Sequence, residues 1–152
     1  MILVAGGTGH LGSFLVQRLV AGGTPVRVLT RARAGATHLH HPAIEIVEGD
    51  VRVASDVQRA VDGTQVVVSA VHGFAGPGGV SPASIDREGN RRLIDAAVRA
   101  HATIILMSVV GAASDHPMEL FRMKDEPSGI CAPAPRTGRS CDRRRFWRRG
   151  SI

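Results

Sequence analysis

The chain has 152 residues, a net charge of +6, 43% hydrophobic residues, 3% aromatic residues and no tyrosine. A chain of this length can bury one hydrophobic core without disulfides or a structural metal. The absence of tyrosine excludes a tyrosine acid or base, and no apolar run approaches the roughly 20 residues of a membrane-spanning helix. No basic segment precedes the first apolar residues, so we expect a cytoplasmic location rather than secretion.

Segments typical of strands and helices alternate along residues 1–124. Apolar or β-branched runs predict five strands, over residues 1–5, 25–30, 44–47, 65–71 and 103–109. Apolar residues at helical spacing predict helices over residues 10–21 and 84–100, and a short helix capped by Ser55 or Asp56. Strands separated by helices are typical of an α/β fold, here a doubly wound parallel sheet of the Rossmann type with about five strands.

Residues 125–152 differ in composition from the rest of the chain. Seven arginines and one acid, Asp142, lie within residues 136–149 and account for the whole net charge. Cys131 and Cys141 lie in the same stretch, without the spacing of a metal site. We expect this segment to be a disordered basic tail that follows a domain over residues 1–124. Because the chain has 18 arginines and one lysine, which is typical of GC-rich codons, an alternative hypothesis is a truncation or frameshift near codon 125.

A glycine-rich loop connects the first predicted strand to the first predicted helix. Its glycines Gly6, Gly9 and Gly12 have the spacing of dinucleotide-binding loops. In such loops the first glycine permits a tight turn, the second lets the backbone approach the pyrophosphate, and the third lets the helix pack close to the strand. The amides of the helix N-terminus then face the anion. The loop residues predicted to contact a dinucleotide are Gly6, Thr8, Gly9, His10, Leu11 and Gly12.

The end of the second predicted strand indicates which dinucleotide is preferred. Sites selective for NAD usually place an acid there for the ribose 2′-hydroxyl, whereas this chain has Arg31 and Arg33. An arginine can pair with a 2′-phosphate through a charge-assisted bond worth about 1.5–3 kcal/mol, or roughly ten- to a hundredfold in affinity. We therefore predict that NADP(H) is preferred over NAD(H). The alternative is that both arginines are solvated loop charges.

The order of these motifs resembles the NmrA-like group of atypical short-chain dehydrogenases/reductases. The resemblance begins with residues 2–12 and 26–31 and covers about residues 1–124. The later segments that carry it are Glu48-Gly49-Asp50-Val51, Val68-Ser69-Ala70, the stretch from Asn90 to Ala97, and Ser108-Val109-Val110-Gly111-Ala112. The resemblance implies a Rossmann fold and hydride transfer from the nicotinamide to a small acceptor such as a quinone.

The resemblance also implies roles for individual residues. Asp50 and Val51 would lie beside the adenine, and Ala70 and Val71 would line the ribose on the nicotinamide side. The catalytic residues implied in the same way are Ser108 and Lys124.

Two departures from the group leave other functions open. Many relatives place a tyrosine four residues before the lysine, where this chain has Leu120, and the group includes regulators that bind NADP without turnover. A non-catalytic NADP-sensing regulator is therefore an alternative. Relatives are also considerably longer, so an inactive fragment is a further alternative.

Three other features of the sequence bear on nucleic-acid binding, self-association and metal binding. The arginine-rich tail could bind nucleic acid through phosphates. Residues 103–109 would form a bare, apolar sheet edge, which favours self-association. The histidines at positions 38, 40 and 41 lack cysteines or acids at ligand spacing, so no metal site is predicted.

Overall fold

The computed structural model describes residues 1–74 and 78–130, with the side chains of all but residues 128–130. Most of the predicted basic tail, with both cysteines and the nucleic-acid hypothesis that depends on it, lies outside the described residues. The elements in chain order are β1 (Ile2–Ala5), α1 (His10–Ala21), β2 (Val26–Thr30), a 3₁₀ turn (Arg33–Ala36), β3 (Ile44–Glu48), α2 (Ala54–Val61), β4 (Val66–Ser69), a π turn (Ala83–Arg87), α3 (Glu88–Arg99), β5 (Thr103–Leu106) and α4 (Glu119–Ile130).

The five strands form one parallel sheet in the order β3-β2-β1-β4-β5. This confirms the predicted doubly wound fold of the Rossmann type. In the register, Ile2 of β1 lies opposite Val26 of β2 on one side and Val66 of β4 on the other. The chain thus builds outward from β1 to β3 and then returns to extend the sheet in the opposite direction. At the switch point between β1 and β4 the connections diverge, which leaves a crevice outside the carboxyl ends of these strands.

Helices bury both faces of the sheet. Leu3 packs with Val57 of α2 and Leu93 of α3, and Val4 packs with Val16 of α1 on the opposite face. Neighbouring residues of a strand point to opposite faces, so a strand covered on both sides needs a continuous apolar run rather than an alternating one. All five of these side chains are fully buried or nearly so, and each contributes roughly 1.5–3 kcal/mol of hydrophobic stabilisation.

Two sets of predicted boundaries were wrong. Helix α2 begins at Ala54, and its start has no side-chain capping bond, so neither Ser55 nor Asp56 is the cap. The Asp56 carboxylate instead accepts the backbone N–H of Asp50 at 3.0 Å. Strands β4 and β5 are shorter than predicted. Strand β4 loses its pairing with β1 after Ser69, because β1 ends at Ala5, and β5 loses its pairing with β4 after Leu106.

The helices that follow β4 also differ from the prediction. The predicted helix over residues 84–100 starts as a π turn, in which the Glu88 N–H donates to the Ala83 carbonyl, before α3 continues regularly. Helix α4 was not predicted, because its sequence contains Pro127 and lacks a clear apolar period. It crosses the predicted domain boundary at position 124 and packs against the π turn and α3.

Strand β5 forms one edge of the sheet. Ile105 lies opposite Val68 of β4, on the face of the sheet that α1 covers at the central strands. The side of Ile105 away from α1 is open, and 47% of the surface of this residue is exposed. No element within residues 1–74 and 78–130 covers this part of the face.

Two other kinds of site are absent from the described residues. No helix there is long and apolar enough to cross a bilayer. The same residues contain no group of three histidine, cysteine or acidic side chains that could hold a metal.

Candidate functional site

A cavity of about 350 Å³ lies outside the carboxyl ends of the central strands, at the switch point between β1 and β4. Eight of the twelve predicted cofactor contacts line it: Gly6, Thr8, Gly9, Arg31, Asp50, Val51, Ala70 and Val71. The remaining lining residues are Leu29, Thr30, Ala32, Gly35, Gly49, His72, Val80 and Ile85. Open α/β sheets bind their ligands at this location, because the loops there separate and leave a concave surface.

The glycine loop forms one wall of the cavity and depends on close backbone contacts. Gly6 has a φ of +82°, and a Cβ there would lie 2.7 Å from the Ala70 carbonyl oxygen. A Cβ on Gly12 would lie 2.8 Å from the Gly6 carbonyl carbon and would clash with its oxygen. A Cβ on Gly9 would meet only the Gly6 oxygen, at 3.4 Å. Gly6 and Gly12 are therefore required by the fold itself, whereas the fold leaves room for a side chain at Gly9.

The N-terminus of α1 faces this wall with amides that have no partner within the helix. The first bond of the helix runs from the Ser13 N–H to the Gly9 carbonyl at 2.8 Å, so the amides of His10, Leu11 and Gly12 precede the helical ladder. Because the cap residue Gly9 has no side chain, it cannot bond to these amides, and the first turn of the helix holds no acidic residue. The side chains of His10 and Leu11 are exposed and do not line the cavity. These residues could contact an anion through backbone N–H groups, with the helix dipole favouring negative charge.

Opposite charges meet at the far end of the cavity. Arg52 donates from Nη2 to Asp50 Oδ2 at 2.7 Å and from Nε to both carboxylate oxygens, and its backbone N–H adds a bond of 2.8 Å to Oδ1. The side-chain bonds from Arg52 hold the pKa of Asp50 below its ordinary value, with a smaller contribution from the charge of Arg31, while partial burial of the carboxylate opposes them. Asp50 is therefore fixed and ionised in the cavity wall.

The two predicted phosphate-binding arginines point to different places. Arg31 lines the cavity, directly after β2. Arg33 lies in the 3₁₀ turn, where its Nη2 donates to the Ile46 carbonyl of β3 at 3.1 Å. It lines a second cavity of about 310 Å³ beside the outer strand β3. The structure thus brings Arg31, and not Arg33, together with the glycine loop and Asp50.

The two predicted catalytic residues lie just beyond the opposite end of the cavity. Lys124 is 7% exposed and donates from Nζ to the carbonyls of Val71 and Met107, each at 3.2 Å. Val71 lines the cavity, so Lys124 contacts its wall from behind. Ser108 follows Met107 and has an exposed side chain. Neither residue lines the cavity directly.

Two functional candidates were missed by sequence reasoning. Arg52 fixes Asp50, and the spacing of an acid and a base two residues apart at a strand end could have indicated this pair. Asp86 forms an ion pair with Lys124, with 2.8 Å between Oδ1 and Nζ, and is fully buried. The two residues are far apart in the sequence, and no local pattern connects them.

The chain matches the NAD(P)H-binding family over residues 6–134, which includes the whole described site. It belongs to this NAD(P)H-binding family. It is 33% identical over 128 residues to the NAD(P)H azoreductase of Xenophilus azovorans, in an alignment that covers 83% of this chain and 41% of that protein. It is 38% identical over 63 residues to sterol demethylase protein B of Methylococcus capsulatus, covering 41% of this chain and 19% of the relative. The chain therefore spans about two fifths or less of these curated relatives.

Solved structures show the same fold. The structure of Pen from Bacillus thuringiensis matches with a TM-score of 0.75 at 18% identity, over 86% of this chain and 43% of that one. A short-chain dehydrogenase/reductase superfamily protein from Agrobacterium tumefaciens, solved with bound NAD, matches with a TM-score of 0.67 at 23% identity and the same coverage. The family match makes the chain an NAD(P)H-binding domain, and the solved structures show that its fold is of the Rossmann type.

Proposed function

We propose that this domain binds NADP(H) in preference to NAD(H), with the pyrophosphate on the glycine loop and the 2′-phosphate on Arg31. The observation that carries the proposal is the position of Arg31 in the cavity wall, next to the glycine loop, in a turn that has no acidic residue between positions 30 and 36. Asp50 and Val51 would contact the adenine, since they line the same end of the cavity as Arg31. Ala70 and Val71 would then line the nicotinamide half.

We further propose that the chain belongs to the NmrA-like branch of the family and that its chemistry is reduction of a small acceptor, a quinone or an azo compound. The resemblance in the ordered motifs and the likeness to an azoreductase support this assignment. When bound, the reduced nicotinamide would supply a hydride, and the acceptor would take that hydride and one proton. Ser108 and Lys124 remain the proposed catalytic residues, although Lys124 would have to release one of its carbonyl partners to reach a ligand.

A second candidate function is NADP sensing without turnover. It is favoured by Leu120, which stands where many relatives have a tyrosine and which offers no proton. Binding of NADPH without its oxidation across a panel of quinones and azo dyes would favour this second function. Oxidation of NADPH by any of these acceptors would favour the reductase.

The dinucleotide preference is tested by calorimetric titration of NADPH and NADH into the full chain and two charge-reversal variants. Arg31→Glu should weaken NADPH binding roughly ten- to a hundredfold relative to NADH, because one charge-assisted bond to the 2′-phosphate is lost. Arg33→Glu is the matched control, since the guanidinium of Arg33 donates to the Ile46 carbonyl and does not line the cavity. This variant should leave the ratio of NADPH affinity to NADH affinity unchanged. Equal effects of Arg31→Glu on both nucleotides would refute the preference for NADP(H).

We also propose that the chain associates with itself through residues 103–109. Ile105 in the edge strand β5 exposes 47% of its surface, and Met107 directly after the strand exposes 37%. Neighbouring chains can pair with such an edge.

A further inference from the structure

A buried ion pair lies behind the nicotinamide half of the cavity. Lys124 of α4 and Asp86 of the π turn are 7% and 0% exposed, and Nζ lies 2.8 Å from Oδ1. Buried ion pairs contribute little to folding stability, because the loss of hydration of the two charges offsets most of their attraction. A pair of apolar residues would fill the same space at similar or better stability. The presence of two charges here therefore calls for a reason in addition to packing.

Within the described residues, the ammonium group of Lys124 donates to the carbonyls of Val71 and Met107, in the segments directly after β4 and β5, and lies 2.8 Å from Oδ1 of Asp86. That oxygen makes no hydrogen bond within the same residues, so its contact with the ammonium group is ionic. In this arrangement Lys124 acts on the cavity through the backbone of Val71 and not by direct contact with a ligand.

The carboxylate of Asp86 binds the same wall at a second point. Its Oδ2 accepts the backbone N–H of Gly73 at 2.7 Å. Its own carbonyl accepts from Asn90 Nδ2 at 2.7 Å, and Asn90 Oδ1 accepts from the hydroxyl of Ser69 at 2.5 Å. Residues 70–73 thus follow β4 along the cavity with bonds from Lys124 at Val71 and from Asp86 at Gly73. The π turn that carries Asp86 is a feature found frequently at functional sites.

We propose that Asp86 is a positioning residue, which with its counter-ion Lys124 fixes residues 70–73 as the wall that receives the nicotinamide ribose. The inference rests on the proposed dinucleotide site and adds to it the element that shapes its nicotinamide half. The adenine half, formed by the loops after β2 and β3, has no bond to this pair in the described part of the chain.

The test compares two ligands on the full chain. NADPH occupies both halves of the site, whereas adenosine 2′,5′-bisphosphate occupies only the adenine half. Asp86→Asn keeps the shape of the side chain and removes its charge. It should weaken NADPH binding about tenfold, as expected for one charge-assisted bond, and should leave bisphosphate binding within about twofold of the original value. Asp95→Asn, the same change at an exposed position of α3, should alter neither affinity.

A purely structural role would give other results. The double variant Asp86→Asn/Lys124→Met has no buried charge, so it should recover folding stability while its NADPH to bisphosphate affinity ratio stays low. Recovery of both would overturn the proposal, as would an equal loss of affinity for both ligands in Asp86→Asn.

A measurement on the unmodified chain covers the case in which Asp86→Asn does not fold. The amide signal of Gly73 in a ¹⁵N NMR spectrum should shift on addition of NADPH and stay in place with the bisphosphate. An equal response to both ligands, or to neither while NADPH binds, would refute the positioning role. Failure of the unmodified chain to bind either nucleotide would instead refute the proposed function itself.

Discussion

Replacement of Gly9 by alanine separates the requirements of the fold from those of the ligand. Gly9 has φ −77° and ψ 169°, a conformation that alanine adopts readily, and its new Cβ would meet only the Gly6 oxygen at 3.4 Å. Alanine is a poorer helix cap than glycine, but the free energy of unfolding should fall by only about 1 kcal/mol or less. For a domain of this size that corresponds to a Tm lower by about 2–4 °C.

The effect of Gly9→Ala on binding should be much larger than its effect on stability. Gly9 lines the cavity and caps the helix whose first amides have no partner within the helix. A methyl group there would hold the pyrophosphate away from these amides. The loss of one charge-assisted bond, worth about 1.5–3 kcal/mol, lowers affinity roughly ten- to a hundredfold. Titration calorimetry with NADPH measures the affinity, and thermal unfolding followed by circular dichroism measures the stability.

Two other glycines of the same helix serve as controls. A Cβ on Gly22, at the opposite end of α1, would meet the carbonyl oxygens of Leu19 at 3.4 Å and Arg18 at 3.6 Å, so Gly22→Ala should change neither binding nor stability appreciably. Gly12→Ala introduces a Cβ into the Gly6 backbone and should lower the free energy of unfolding by about 1–3 kcal/mol. If Gly9→Ala binds NADPH as tightly as Gly22→Ala, the glycine loop is not the pyrophosphate site.

Two further predictions concern the Asp50–Arg52 pair and the β5 edge. Because the pKa of Asp50 is held below its ordinary 3.8, the stability it contributes is present above that pH and is lost as the pH falls through the lower folded value. Arg52→Ala should therefore raise the pH at which Asp50 titrates, measured by ¹³C NMR of its carboxyl carbon, and an unchanged titration would contradict the assigned cause. Ile105→Lys should shift sedimentation-velocity profiles toward the monomer, because a charge blocks the apolar edge. Val98→Lys, at an exposed apolar position on α3, should not shift them, and equal association of both variants would exclude β5 as the contact.

The proposed adenine half of the site could be predicted largely from local sequence patterns. The spacing of Gly6, Gly9 and Gly12 directly after an apolar strand fixes a loop whose backbone contacts allow few other residues. Residues that follow the ends of parallel strands meet at one edge, so the positions of Arg31 and Asp50 could be inferred from their places in the sequence. The sequence did not distinguish Arg31 from Arg33, because the 3₁₀ turn between β2 and β3 decides which guanidinium faces the crevice.

The proposed nicotinamide half could not be predicted in the same way. Helix α4 has weak local signals, with Pro127 inside it, and its position depends on packing against the π turn and α3. The ion pair between Asp86 and Lys124 joins segments that no sequence period relates. The resemblance pointed to Lys124 but not to its partners, because the carbonyls of Val71 and Met107 reach its ammonium group only through the folding of β4, β5 and α4.

This difference in construction has a consequence for how the site works. The wall around Gly6 and Asp50 is held by short-range backbone contacts and by Arg52, two residues away in the chain. The wall at Val71 is held by an ammonium group contributed from α4, across many residues of intervening chain. The position of Val71 therefore depends on how α4 packs against the π turn and α3, whereas the glycine loop does not depend on α4. A substitution that displaces α4 should consequently weaken ligand contacts at Val71 and leave those of the glycine loop in place.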